Sequence, residues 1–175
     1  MGLDAILEQR LRLDDEAAIA GLLARSFPTD FGGRSYFHQR HHLRLIWREA
    51  GTVCAHMAML LRAVRLGEAV FTIAGLAEVA TDPDHRGKGL AAALLAAAIA
   101  EAREAGVPFL LLFGEAWLYA GAGFKAQANP IRFVDLRGMQ TRGLRHKSGK
   151  GLMVLTLGAQ DWDGQAVLDL LGPTF

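Results

Sequence analysis

Residues 81–91, Thr-Asp-Pro-Asp-His-Arg-Gly-Lys-Gly-Leu-Ala, constrain this chain more than any other stretch. An apolar run over residues 70–80 leads into them, and an alanine- and leucine-rich run over 90–105 leads out. The first run reads as a strand, stopped at Pro83, whose φ is fixed and which has no N–H for a ladder. The second lacks proline and glycine and consists mostly of the best helix formers. The order is therefore strand, polar turn, glycines, helix. That order makes an anion site. The first amides of a helix have no internal partner and point outward, and the helix dipole adds partial positive charge. Gly87 and Gly89 keep side chains off the backbone, and Arg86 and Lys88 add full charges. A diphosphate suits such a site.

Three glycine-loop patterns compete for it. A nucleotide-triphosphate loop needs Ser or Thr after the Gly-Lys pair to hold magnesium, and here Lys88 is followed by Gly89. The dinucleotide fingerprint is present as Gly87-Lys88-Gly89-Leu90-Ala91-Ala92, with Glu115 as an acidic residue after the next apolar run. That fingerprint usually turns straight from strand to glycine, whereas polar residues and Pro83 intervene here. An NAD(P)-dependent oxidoreductase is therefore the minor alternative. The third pattern is Arg/Gln-x-x-Gly-x-Gly/Ala, matched by Arg86, Gly89 and Ala91.

With residues 79–91 in that pattern, the chain resembles the GCN5-related N-acetyltransferase (GNAT) superfamily at its acetyl-coenzyme A loop. The resemblance continues in Leu118-Tyr119-Ala120-Gly121-Ala122-Gly123-Phe124, similar to the family's tyrosine followed by a Gly-aromatic pair. It implies acetyl-CoA as cosubstrate and a strand edge at Val79, Ala80 and Thr81 that pairs with the pantetheine arm. It implies coenzyme binding by Arg86, Gly87, Lys88, Gly89, Leu90 and Ala91, and Tyr119 as general acid. A phenol stays protonated at neutral pH and can give its proton to a leaving thiolate. Residues 43–175 also resemble the aminoglycoside 2′-N-acetyltransferases and, more loosely, the nodulation N-acyltransferases. The residues that carry this are Ile46-Trp47, Gly51 to His56, Arg62 to Gly67, Trp162-Asp163-Gly164 and the aromatic C-terminus. In the aminoglycoside enzymes the central-strand glutamate, counted back from the loop arginine, falls on Ala77 rather than Glu78. One position reverses the face of a strand, and a bulge restores it.

Composition narrows the class. The chain has 175 residues, a net charge of +1 and a single cysteine, Cys54. Its length suits one domain, 1–175. The charge gives no reason to expect nucleic acid or a membrane surface. A lone cysteine excludes an internal disulfide and a cysteine-based metal site, so no metal is expected. Residues 1–12 carry acidic residues and lack a signal-peptide core, and no apolar run reaches membrane-spanning length. A cytoplasmic protein is expected, with a homodimer left open.

In chain order, residues 7–13 alternate like a strand. Asp14 and Asp15 cap a helix that ends near Phe27-Pro28, and residues 27–34 form a loop. Residues 35–42 read as a short helix carrying His38, His41 and His42 as exposed histidines. Residues 42–49 and 52–64 form a hairpin around Ala50-Gly51, with His56 a structural histidine, and Gly67-Glu68 turns the chain into residues 69–81. Gly106 ends the long helix, and residues 108–113 form a buried strand. Residues 114–122 form a short helix, residues 131–136 and 152–157 form late strands, and 137–150 is a basic, solvated loop. The fold class expected is α/β with a mixed sheet. It is mostly antiparallel, with a central parallel strand–helix–strand and helices on both faces. The resemblance implies the same layout, the GNAT-like acyl-CoA N-acyltransferase fold.

The expected reaction is direct attack of a primary amine of a small molecule on the thioester. The base is Glu78 or, second, Glu115. An aminoglycoside-like or other polyamine acceptor would want carboxylates, for which Asp30, Glu78, Glu115, Asp169 and the Phe175 terminus are candidates. A coenzyme A-binding module without transfer is the alternative from a different class.

Overall fold

The computed structural model describes residues 2–175. The elements are β1 (Gly2–Leu7), α1 (Leu13–Ser26), β2 (Leu43–Glu49), β3 (Thr52–Leu66), β4 (Ala69–Thr81), α2 (Leu90–Glu104), β5 (Phe109–Phe113), α3 (Ala116–Tyr119), β6 (Lys125–Ala126), β7 (Ile131–Arg137), β8 (Gln140–Lys147), β9 (Leu152–Thr156) and β10 (Leu168–Asp169). Short 3-10 turns follow β1, β4 and α3. Parallel and antiparallel ladders both occur, so the fold is the expected mixed α/β class. Among the described residues no helix is long and apolar enough to cross a membrane.

Contacts divide the chain into two compact units. The first holds the chain up to Leu60 together with Leu76–Glu101; the second holds Leu61–Gly75 and Ala102–Phe175. β3 and β4 each contribute residues to both units.

In the first unit, Ile19, Leu22 and Leu23 recur at helical spacing on α1 and are fully buried with Ile46, Val53 and Ala80. Each such side chain adds roughly 1.5–3 kcal/mol when removed from water. Asp14, Asp15 and Glu16 occupy the first turn of α1, but the N-cap is Arg12 and makes no side-chain cap. The acids therefore act through the helix dipole rather than as caps. β1, β2 and the first half of β3 form an antiparallel ladder, with β2 and β3 making the expected hairpin. The strand expected over 7–13 lies earlier, at Gly2–Leu7. Glu8 turns out of the ladder into a 3-10 turn, where its carboxylate meets Arg40 and Arg44. Residues 35–42 are not helical. Their backbone is engaged elsewhere, with Ser35 O taken by Arg44, Phe37 N–H by Glu78 and His42 N–H by Met59 O.

In the second unit, β9 pairs antiparallel with β5 and β6. Phe109 is fully buried, with Phe71 and Trp162 edge-on at 5.3 and 5.1 Å. Asn129 is fully buried too. Its Oδ1 accepts from Trp162 Nε1, and its Nδ2 donates to the carbonyls of Asp163 and Ala166. Half of the basic loop expected over 137–150 is strand: β8 pairs antiparallel with β7. Gly138 and Met139 both have positive φ, the hairpin geometry that a Gly-Met pair does not advertise. All of β8 is exposed, as expected for that basic segment. The tail adds β10, parallel to β7 and antiparallel to the end of β3, where only antiparallel pairing was expected.

Candidate functional site

The glycine loop over residues 81–91 belongs to the first unit. A 3-10 turn at Pro83–His85 follows β4, and Asp82 begins it by accepting the Asp84 N–H. A hydrogen bond from Arg25, with that N–H, holds the Asp82 carboxyl below the ordinary range. Asp82 N–H donates to Cys54 O at 2.8 Å, which ties the loop to β3. Gly87 and Gly89 have φ of +75° and +77°. A Cβ at either position would meet no protein atom within 4 Å. Glycine is needed there for the left-handed backbone, not for room within the chain. Gly89 O accepts the Ala93 N–H, so Gly89 opens α2, and the amides ahead of Ala93 are the partnerless ones of a helix start. Arg86, Gly87, Lys88, Gly89 and Ala91 are exposed, while Leu90 is buried as the first of a stripe with Leu94, Ala98 and Ala102. Val79 and Thr81 are half-buried and Ala80 is buried.

Cys54, read from sequence as excluding a cysteine-based metal site, lies with Glu49 and His85 so that one potential ligand atom of each falls within 4.8 Å of the others. His85 Nε2 is 3.4 Å and Lys88 Nζ 3.7 Å from the same oxygen of Glu49. Lys88 thus already neutralises the one carboxylate of the group. The three histidines of residues 35–42 differ from one another. His42 is exposed and His38 stacks on Phe37 at 3.8 Å, but His41 is buried rather than exposed.

Glu78 is the least ordinary residue of β4. Its φ is +54°, a left-handed value in the middle of a strand, and such a residue costs of order 1–3 kcal/mol unless its surroundings fix it. Ala77 and the Glu78 side chain are both buried. Both carboxylate oxygens are engaged. Oε1 accepts the Phe37 N–H at 2.7 Å, and Oε2 lies 3.2 Å from Arg44 Nη1. His41 Nε2 is 2.9 Å from Oε1, an ion-pair distance without hydrogen-bond geometry. Arg44, fully buried, also donates to both oxygens of Glu8 and to Ser35 O. Burial pushes the Glu8 carboxyl up, but the hydrogen bonds and charges of Arg44 and Arg40 outweigh it and hold the group low.

His56 completes the cluster. Nδ1 lies 2.9 Å from Glu78 O, and Nε2 lies 3.3 Å from Arg44 Nη1. A carbonyl only accepts and a guanidinium only donates, so Nδ1 carries the proton and Nε2 presents its lone pair. The ring is neutral. Burial, with the Arg44 charge beside it, pushes its pKa down to about 4. Composition gave no sign of this network; the signal lay in polar residues set at buried positions of otherwise apolar strands.

Tyr119 and Glu115 belong to the second unit. Tyr119 ends α3, is buried, and packs its ring edge-on to Phe124 at 5.9 Å. Gly114 makes room for it, because a Cβ there would stand 2.7 Å from Tyr119 Cε2. Burial raises the phenol pKa, so the group is protonated throughout the neutral range. Glu115 is the N-cap residue of α3, exposed and making no side-chain cap. The other acids proposed for an acceptor cleft have local duties. Asp30 accepts the Gly32 N–H, and Asp169 accepts the Leu171 N–H. The Phe175 ring lies against Phe113, with the Arg62 guanidinium 5.8 Å from its centroid.

The sequence model of the acetyltransferase (GNAT) domain family matches residues 9–126. Proteins named nodulation protein A from Sinorhizobium terangae and Sinorhizobium fredii are 32% and 34% identical over 95 and 91 residues. Those stretches cover 50% and 47% of this chain and 48% and 46% of theirs, so the chain matches about half the length of these curated relatives. A GNAT family N-acetyltransferase from Escherichia coli, solved in complex with CoA, superposes with TM-score 0.67 at 22% identity, covering 97% of this chain and 91% of that one. A GNAT family acetyltransferase from Brucella melitensis, solved with acetyl-CoA, gives TM-score 0.61 at 20% identity over 94% of both chains. At that identity the structures establish the shared fold.

Proposed function

The chain belongs to the GNAT acetyltransferase family, and on that premise we propose that it transfers acetyl from acetyl-CoA to a primary amine of a small molecule, an aminoglycoside-like or other polyamine being the acceptor class. The observation that carries this reading is the exposed loop of left-handed glycines, flanked by Arg86 and Lys88, at the start of α2. In this reading the amides of Gly87, Lys88, Gly89, Leu90 and Ala91 hold the coenzyme diphosphate, and Arg86 and Lys88 add charge. Val79, Ala80 and Thr81 lie along the pantetheine arm. The solved relatives that carry CoA or acetyl-CoA support the choice of donor.

The amine nitrogen attacks the thioester carbonyl, the C–N bond forms and the C–S bond breaks. Tyr119, kept protonated by burial, gives its proton to the thiolate. A carboxylate takes the proton that the ammonium loses before attack; the nitrogen loses a second proton as the amide forms, and that proton restores the Tyr119 phenol. Glu115 is exposed and open to the first proton. The Glu78 carboxylate is already engaged by the Phe37 N–H and Arg44. That engagement motivates the second reading, a coenzyme A-binding module without transfer. The family match gives no support to the dinucleotide alternative. A cytoplasmic location and a homodimer belong to the same proposal.

Thermal unfolding with acetyl-CoA, CoA, NAD and NADP, followed by thiol release across an amine panel, tests it. A ligand at 100 times its Kd adds about 2.7 kcal/mol, roughly a few degrees for a chain of this size. Both coenzyme A forms raise the midpoint and neither nicotinamide does. Tyr119→Phe lowers turnover with coenzyme affinity unchanged; equal turnover removes the acid role. Coenzyme binding with no thiol release for any amine selects the second reading.

A further inference from the structure

Glu78 is pinned from two directions. Its carboxylate is held by the Phe37 N–H and Arg44, and its backbone carbonyl lies 2.9 Å from His56 Nδ1. The contact from His56, a β3 residue, ties the β4 backbone to its neighbour at Glu78. The left-handed φ of Glu78 needs such over-determination to persist. Arg44 fixes the imidazole in turn, because Nη1 can donate only to an unprotonated Nε2. Arg44 is itself immobilised by Glu8 and Ser35 O. Nη1 shares its two hydrogens among Ser35 O, Glu78 Oε2 and His56 Nε2, and Nδ1–H donates to the Glu78 carbonyl. The very next residues along β4 are Val79, Ala80 and Thr81.

We propose that His56 is a positioning residue for acyl transfer: its Nδ1–H, whose tautomer Arg44 fixes, holds the left-handed turn at Glu78 and thereby sets the backbone of Val79, Ala80 and Thr81 against the donor. This rests on the reading that those residues line the pantetheine arm and thioester. Neither side chain touches the reacting atoms. They act on geometry, and a donor group displaced by about 1 Å costs on the order of 100-fold in rate. The cluster also explains why a charged network is buried in this unit at all. A buried ion pair adds little stability over a hydrophobic replacement, whereas a fixed backbone turn is something an apolar cluster cannot specify.

Two isosteric half-replacements separate this role from packing. The terminal amide of asparagine reaches the place of Nδ1, so His56→Asn keeps the donor to the Glu78 carbonyl and loses the acceptor for Arg44. Glutamine reaches the place of Nε2, so His56→Gln keeps the partner of Arg44 and loses the donor. Each variant loses one buried hydrogen bond, so comparable falls in melting midpoint are expected. The expected split is kinetic. His56→Gln lowers kcat by about 100-fold with the acetyl-CoA KM within about 3-fold, while His56→Asn stays within about 5-fold of the wild-type kcat. Equal kcat in the two variants overturns the proposal, whether both fall or neither does. Two measurements do not depend on turnover. Nitrogen-15 NMR of the wild-type ring must show the Nδ1–H tautomer, and an Nε2–H ring overturns the proposal. Amide exchange at Val79 and Ala80 must quicken about 10-fold more in His56→Gln than in His56→Asn, and equal exchange overturns it. If wild-type protein releases no thiol with any amine, the transferase reading falls by itself, and the exchange comparison decides the positioning role.

Discussion

Arg44 and Phe109 are two of the largest fully buried side chains of the molecule, one in each unit, and they are held by opposite means. Phe109 sits among apolar neighbours with Phe71 and Trp162 edge-on. Its contribution scales with area and contact, and any well-shaped hydrophobe would do part of the work. Arg44 sits among Glu8, Glu78, His56 and Ser35 O, and each of its bonds has a direction. Removing charges from water is expensive, and their mutual attraction does little more than offset that cost. The first unit therefore gains orientation rather than stability from its polar interior. That orientation is spent on Glu78, where the strand backbone departs from its ordinary course.

Truncating each centre gives the largest effects and separates the two. Phe109→Ala costs about 3–5 kcal/mol through lost transfer energy and a cavity. Arg44→Met costs about 3–5 kcal/mol because it breaks a buried pair: Glu78 keeps only the Phe37 N–H and the nearby His41, and Glu8 keeps only Arg40. Denaturant unfolding at pH 7 and pH 5 distinguishes the causes. Arg44 helps hold the Glu8 carboxyl low against its burial; without it Glu8 takes up a proton more readily on acidification, so the Arg44→Met deficit shrinks while the Phe109→Ala deficit does not. A pH-independent Arg44→Met deficit would mean that this arginine is only filling space.

The pH dependence of the wild-type protein sharpens the same contrast with a smaller effect. The ordinary histidine value is 6.5, and burial beside Arg44 pushes His56 down to about 4. Between those values the unfolded chain binds a proton that the folded chain refuses. Stability therefore falls on acidification through that window, by up to about 1.4 kcal/mol per pH unit for one site. Glu8, held low, adds a further loss below the ordinary carboxylate range. His56→Asn carries no titrating ring, so its stability curve between pH 6.5 and pH 4 is flatter than wild type. Parallel curves would sink the assignment of a neutral, buried His56.

The second unit also holds a polar tether, at Asn129, and it ranks next. Trp162→Phe keeps the ring against Phe109 but removes the N–H that Asn129 Oδ1 accepts. A buried acceptor left without its partner costs about 1–3 kcal/mol. Trp162→Phe with Asn129→Leu removes both groups, and a double-mutant cycle on urea unfolding isolates the coupling. Zero coupling would make the second unit purely apolar in energetic terms.

The glycine loop, α2 and the strands around them were legible because proline, glycine and alanine act locally: each restricts or frees its own backbone whatever surrounds it. The hairpin of β2 and β3 was legible for the same reason at Ala50-Gly51. The glutamate offset at Ala77 and Glu78 raised a bulge as an expectation; the structure gives Glu78 a left-handed φ and a buried side chain. What holds that turn was not legible. Glu8, Arg44, His56 and Glu78 are far apart in sequence, and polar residues in apolar strands give no hint of their mutual hydrogen bonds. His56 was read as structural, without its partners. The short helix expected over 35–42 failed because helix propensity is a weak local term. Three backbone groups of that segment have stronger partners elsewhere. The β7–β8 hairpin was missed because Gly138-Met139 places a non-glycine residue at positive φ, and only the pairing of the two strands reveals it.

The smallest predicted effect tests where the directed network ends. Arg40 donates to Glu8 at 2.9 Å and also pairs with Glu16, and its side chain is 49% exposed. Glu8 is thus shared between a fully buried arginine and a half-exposed one. A solvent-screened pair is worth roughly 0–1 kcal/mol, so Arg40→Ala lowers stability by no more than about 1 kcal/mol and loses most of that deficit in high salt. Glu8 retains both of its bonds to Arg44 in that variant, so the Glu78 turn is undisturbed and amide exchange at Val79 and Ala80 is unchanged. A loss comparable to that of Arg44→Met, or faster exchange at Val79, would show that Arg40 belongs to the positioning chain and that the chain extends to the surface through Glu8.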